Sequence, residues 1–315
     1  MFGRAQVVVL GQVAAIEEGS PNTDRRTPQS VTLTVDRCYK PSNECGSTVV
    51  FHRTMCVTCP QVTLRAGDSV IAFIESPDAV LLQPPIWSVW PAGWINLSGD
   101  RSAASGEELL EADLATGLTS GDENVRMRSL LYLLDAPTLS PAAFAEVRSI
   151  AEGRSGPMGE RLAALAILLN DPRPEYVGIA AKMAATRAGV VEEYPQIAAV
   201  VGLRLARAKD PETVPSLVTI FDSGVEWWHH GAISALRNMH SPSLVRIFVQ
   251  ALDDPDRATQ HAAVLALAQT TGKFGDFAPA RDLFDKDPES YIQRWKQWWQ
   301  TQGQAEFGHP AQPNH

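Results

Sequence analysis

Residues 99–315 contain no cysteine, and the four in the chain, Cys38, Cys45, Cys56 and Cys59, crowd into 22 positions near the N-terminus. That distribution excludes a thiol nucleophile or a thiolate metal site from the C-terminal two thirds. Long apolar runs are lacking too: nothing approaches the roughly 20 residues that a membrane span needs. The longest apolar run near the start, Val7–Leu10, is too short for a signal-peptide core, so an exported form would carry its leader outside this sequence. Basic charge is scarce. The formal net charge is −9, of which −2 falls in residues 1–100 and −7 in the remainder. No cluster of Lys and Arg runs along one expected face, which disfavours nucleic acid and anionic membrane as partners. No GxSxG elbow, Walker loop, dinucleotide fingerprint or kinase set is present. His229, His230, His240 and His261 do not make an HExxH spacing, and His52 stands alone on an expected strand. Asp253, Asp254 and Asp256 lack the twelve-residue loop of a calcium site and read as helix caps. Nothing points to a cofactor or a metal as a resident group.

What is present is periodic. From Glu226 to Gln269 the chain reads as helix, turn, helix, turn, helix. Trp228, Ala232, Ala235, Leu236 and Met239 recur at three- and four-residue spacing and share one face. Leu244, Ile247, Phe248, Ala251 and Leu252 give the next helix its stripe. Ala262, Ala263, Leu265, Ala266 and Leu267 make a third helix apolar nearly all round, which has to be buried between neighbours. A lone hairpin cannot bury such a helix, whereas a stack of hairpins can. The punctuation recurs as well. Asp171-Pro172, Asp210-Pro211, Asp254-Pro255 and Asp287-Pro288 place an acid before a first-turn proline, and Ser140-Pro141 matches Ser241-Pro242. Leu134, Leu168, Leu205, Leu236 and Leu267 mark equivalent helices at separations of 34, 37, 31 and 31 residues. This pattern resembles HEAT repeats, in the broad HEAT/armadillo superfamily, over about residues 107–301. The resemblance implies an α-α superhelix and carries little about function, because such arrays serve many binding roles.

Residues 1–98 read as a β domain. Ala5–Ile16 is a long apolar strand with Gly11 as a bulge or bend. Val31, Leu33 and Val35 alternate with polar neighbours, Thr48–His52 runs back, Asp68–Glu75 is a third confident strand and Ala79–Leu82 a short further one. The segments AQVVVLGQV, VTLTVDRCYK and LRAGDSVIAFIE resemble the netrin-type OB fold shared with tissue inhibitors of metalloproteases, which implies a small β-barrel. In those inhibitors an N-terminal cysteine chelates the protease metal. Here the chain starts MFGRA, so inhibition is not carried over. A small polar linker, 99–106, leads to the helical repeats of 107–301, and 302–315 reads as a flexible tail.

Three readings of the cysteines stay open: two disulfides in an oxidising compartment, one zinc held by four thiolates, or a redox CxxC at Cys56–Cys59. Cys59 is followed by Pro60, so the covalent haem signature is absent. At about 3.3 Å per residue, the strand between Cys45 and Cys56 separates the pairs by roughly 20 Å. That favours local pairing, Cys38 with Cys45 and Cys56 with Cys59, and counts against one shared metal. The tryptophans form three groups. Trp87, Trp90 and Trp94 sit in PPIWSVWPAGW, as cover for a domain junction or as an aromatic binding surface. Trp295, Trp298 and Trp299 read as the cap that closes the array. Trp227 and His230 lie off the buried face of their helix and are candidate partner contacts.

The expectation from sequence is a periplasmic or extracellular, non-enzymatic scaffold. Its helical array would bind a protein partner, and the β domain would serve as anchor or second contact. The alternative is a ligand- or metal-binding β domain, through the Cys38–Cys59 loop and the Trp87–Trp94 segment, with the repeats as support. A lyase-type chaperone ranks last, because residues 99–315 offer it no cysteine.

Overall fold

The computed structural model describes residues 5–20, 26–40, 45–56, 64–74, 89–91, 105–134, 136, 139–153, 156–191 and 193–307. The chain divides into two compact units, Met1–Glu146 and Val147–His315.

The first unit is built on a five-stranded antiparallel sheet. Its strands are β1 (Val7–Glu18), β2 (Arg26–Lys40), β3 (Thr48–Cys56), β4 (Ser69–Ile74) and β5 (Val89–Pro91), in the order β3-β2-β1-β4-β5. The expected closed barrel is corrected to an open sheet: among the described residues no ladder joins β3 to β5, and the three-residue β5 pairs with β4. One face carries the core of Val9, Val13, Val31, Leu33, Phe51, Val70, Ala72 and Ile74. A register shift between Leu10 and Gly11 leaves Asp36 as an extra residue on β2, since Leu10 faces Arg37 while Gly11 faces Val35. A one-residue slip sends the following side chains to the opposite face. So Cys38, opposite Val9, packs against the core, whereas Arg37 and Tyr39 reach α1 (Gly106–Leu118) on the other side.

That second face is covered by helices. Ser105 and Glu108 form a reciprocal capping box that starts α1. Tyr39 Oη donates to Asp113 Oδ2 at 2.8 Å, and Arg37 Nη1 reaches both carboxylate oxygens at 3.1 and 3.0 Å. Asp113 is fully buried. Gly106 permits the approach, because a Cβ there would come within 1.5 Å of the Tyr39 carbonyl oxygen. Phe73 of β4 stacks on Tyr132 of α2 (Glu123–Leu133) at 6.0 Å. The next helix, α3, spans Pro141–Glu152.

The second unit is a helical repeat array. Its helices are α4 (Met158–Leu168), α5 (Pro174–Val191), α6 (Pro195–Leu205), α7 (Val214–Asp222), α8 (Glu226–Asn238), α9 (Val245–Gln250), α10 (Arg257–Thr271), α11 (Arg281–Lys286), α12 (Pro288–Trp298) and α13 (Gln304–Phe307). The even-numbered helices α4, α6, α8, α10 and α12 pack in series, each on the next; α5 packs on α7 in a second layer. Hairpin partners α4 and α5, α7 and α8, and α9 and α10 join the layers. Leu168, Leu205, Leu236 and Leu267 fall in α4, α6, α8 and α10, and all four are buried. The Asp-Pro steps divide. Asp287 accepts from the Ser290 amide and caps α12, whereas Asp210 accepts from the Glu212 amide and caps the short 3-10 turn Pro211–Thr213 that leads into α7. At Asp171-Pro172 and Asp254-Pro255 the chain turns once more, and the helices begin at Pro174 and Arg257. Asp256, not Asp254, therefore caps α10, accepting from the Ala258 and Thr259 amides at 3.1 and 2.8 Å. An aromatic cluster ends the array: Trp295 is fully buried, edge-on to Phe277 and Trp298 at 4.8 and 5.2 Å, and donates to the Phe277 carbonyl at 3.0 Å.

Candidate functional site

Helices α6 and α8 meet backbone to backbone. A Cβ on Gly202 would lie 2.3 Å from the Trp227 carbonyl oxygen, and one on Gly231 would lie 2.3 Å from the Gly202 carbonyl oxygen. Trp228 is wholly buried and donates its indole N–H to the Ala198 carbonyl at 3.1 Å, tying α8 to α6. Its neighbour Trp227 falls on another side of the helix and is 51% exposed. Leu203, next to the Gly202 contact on α6, is 68% exposed. Two large apolar side chains thus emerge from adjoining helices at one crossing, with exposed His230 one turn beyond Trp227.

A polar joint links α8 to the turn before α10. His229 Nδ1 donates to Asp254 Oδ2 at 2.9 Å, and Asp254 Oδ1 accepts from the Asp256 amide at 2.8 Å. Phe221 lies against the imidazole at 5.5 Å. The His229 Nε2 atom is enclosed and has no hydrogen-bond partner among the described residues. Burial raises the Asp256 carboxyl, but hydrogen bonds from the Thr259 hydroxyl and the Ala258 and Thr259 amides, with the nearby His230, outweigh it and hold the group below the ordinary carboxylate value. His261 Nε2 lies 3.1 Å from the Pro279 carbonyl, and His52 sits on β3 opposite Ser30.

Of the residues singled out from sequence, Trp227 and His230 are brought together on the ridge. Leu203, exposed beside the Gly202 contact, was not anticipated: it sits in AAVVGLRLA, which reads only as one of the repeated leucine-rich helices. Cys38 and Cys45 are joined as a disulfide with Cα atoms 5.7 Å apart. Cys59, Trp87 and Trp94 lie outside the described residues, as does the strand expected at Ala79–Leu82. Trp90 has a described backbone, paired with Ile71 on β5, and Cys56 a described backbone at the end of β3. Among the described residues, no group of three or more metal-binding side chains comes together, and no helix is long and apolar enough to cross a membrane.

No family model and no curated protein matches the chain. Among solved structures the chain is similar to the complex of CpcE and CpcF of phycocyanin lyase from Nostoc sp. PCC7120. The two share 18% identity over 56% of this chain and 69% of that one, with a TM-score of 0.39. This finding corrects two expectations. The non-enzymatic scaffold, and the ranking of a lyase-type chaperone last, are not retained, since the solved structure found is that of a lyase complex. The physical reason is that missing catalytic motifs exclude only the chemistries those motifs serve, and the lack of cysteine in the repeats excludes only thiol chemistry there. A likeness at this TM-score carries no argument for any particular activity of this chain.

Proposed function

We propose that the helical array recognises a protein partner through the ridge formed where α6 and α8 cross, with Trp227 and Leu203 as apolar anchors and His230 as a polar contact. The observation that carries this reading is the exposure of two large apolar side chains at one helix crossing, in an array whose other large residues are mostly buried. Interface anchors are enriched in tryptophan because a large, stiff ring removes much apolar area from water at little entropic loss. The regular succession of helix pairs supports assignment of the array to the HEAT-like class, whose repeats present such ridges side by side. The disulfide at Cys38–Cys45 supports an oxidising compartment, periplasmic or extracellular.

The test places a photo-crosslinking amino acid at position 227 in the full chain and captures what it touches in extracts of the native host. Capture of one protein, lost when Leu203→Ala is added, supports the ridge. Capture that is indifferent to Leu203 contradicts it. The mass of the captured partner, compared with the free partner, then reports whether contact is accompanied by covalent change.

A further inference from the structure

We propose that the Cys38–Cys45 disulfide is a redox latch that governs how firmly α1 is held on the sheet. The ladder between β2 and β3 runs from Arg26 opposite Cys56 to Thr34 opposite Thr48, and its last tie is the Val35 amide donating to the Ser47 carbonyl at 3.0 Å. Beyond that point β2 continues to Lys40 with β1 alone as its strand partner, through a register carrying two of the three irregularities of that ladder. A strand end with one neighbour and a broken register is the part of a sheet that opens most readily. On the side that β3 has left, the disulfide supplies the missing tie, joining Cys38 to a residue seven positions on.

That strand end is also where the sheet grips α1. Arg37 and Tyr39 flank Cys38 and both bind the buried Asp113 carboxylate, and the Tyr39 carbonyl oxygen meets Gly106 at the helix start. Three contacts with α1 thus hang on four residues whose outer edge is fastened by one covalent bond. Cys45 is half-buried beside exposed Gly46 and Ser47, within reach of a small thiol. A dithiol reductant would break the S–S bond and deliver two electrons and two protons. Cys38 and Cys45 become thiols, and the reductant leaves as its own disulfide. With the cross-link gone, the strand end regains freedom and its hold on Asp113 loosens.

Hydrogen–deuterium exchange on the full chain tests this, with β4 as internal reference. In the Cys38→Ser/Cys45→Ser variant, compared without reductant so that the other cysteines are untouched, α1 amides should exchange on the order of tenfold faster or more, while β4 keeps its protection. Reduction of the native chain should do the same. Unchanged α1 exchange overturns the proposal, and so does acceleration of β4 in step with α1, which marks global loosening. Asp113→Ala serves as the second variant: there reduction should add nothing further to α1 exchange, and an undiminished acceleration would show that the effect does not pass through Arg37 and Tyr39.

Discussion

At the scale of residues, the array is held by a few polar contacts whose loss has a defined sign. Asp254 is buried and is the hydrogen-bond partner of His229. Asp254→Ala should destabilise the chain by about 2–3 kcal/mol in urea unfolding, because it strands a largely buried imidazole and frees the Asp256 amide. The Asp256 carboxyl is held below its ordinary value of 3.8 in the folded chain. A depressed pKa gives stability that is present above the unfolded value and lost as pH falls through the folded one. Stability should therefore drop as pH falls below about 4, and Asp256→Asn should flatten that drop; an unchanged acid limb would contradict the assignment. Tyr39 moves the other way: burial first, then the Asp113 charge and hydrogen bond, push its hydroxyl far above 10.0. Its contribution is intact below pH 10 and lost as pH rises, so Tyr39→Phe should lessen alkaline destabilisation. His240, after the end of α8, has φ 50° in the left-handed region, where a side chain is strained and glycine is at ease. His240→Gly should raise stability by about 0.5–1 kcal/mol.

At the scale of elements, the α6–α8 crossing shows how packing depends on the smallest residues. Gly231→Ala places a methyl group against the Gly202 carbonyl, where neither backbone can yield without parting the helices. The expected loss is about 2–3 kcal/mol, read as a lowered urea midpoint with an unchanged slope. The existence of α8 and its inward face were legible in the sequence, because Trp228, Ala232, Ala235 and Leu236 repeat with the helical period and all are buried. The helix starts were legible only in part. Asp-Pro marks a turn, but proline fixes one φ angle and not the number of residues spent before the helix begins. That is why Asp287 caps α12 directly and Asp210 a 3-10 turn ahead of α7, while Asp254 turns inward to His229, a partner 25 positions away. Strand β5 was missed because a proline- and glycine-rich segment reads as loop, yet its three residues pair at the sheet edge, where a missing N–H is tolerated. Leu203 was illegible for a different reason: the period of α6 says which residues share a face, and only the neighbouring helices decide which face is covered.

At the scale of the whole molecule, a helical repeat array accompanies an open, helix-covered sheet, and each unit has its own core. The array's two layers leave their exposed apolar residues few, and two of these stand together on α6 and α8. The most direct measurement is the affinity of the protein cross-linked at position 227, for the native chain and for the Leu203→Ala/Trp227→Ala variant. Both side chains are largely exposed, so the two chains should melt within about 1–2 °C of each other. The account predicts at least a tenfold weaker Kd for the variant, on the order of 1.4 kcal/mol or more lost from the anchors. Equal affinities at equal melting temperatures would contradict it and remove the ridge as the site of recognition.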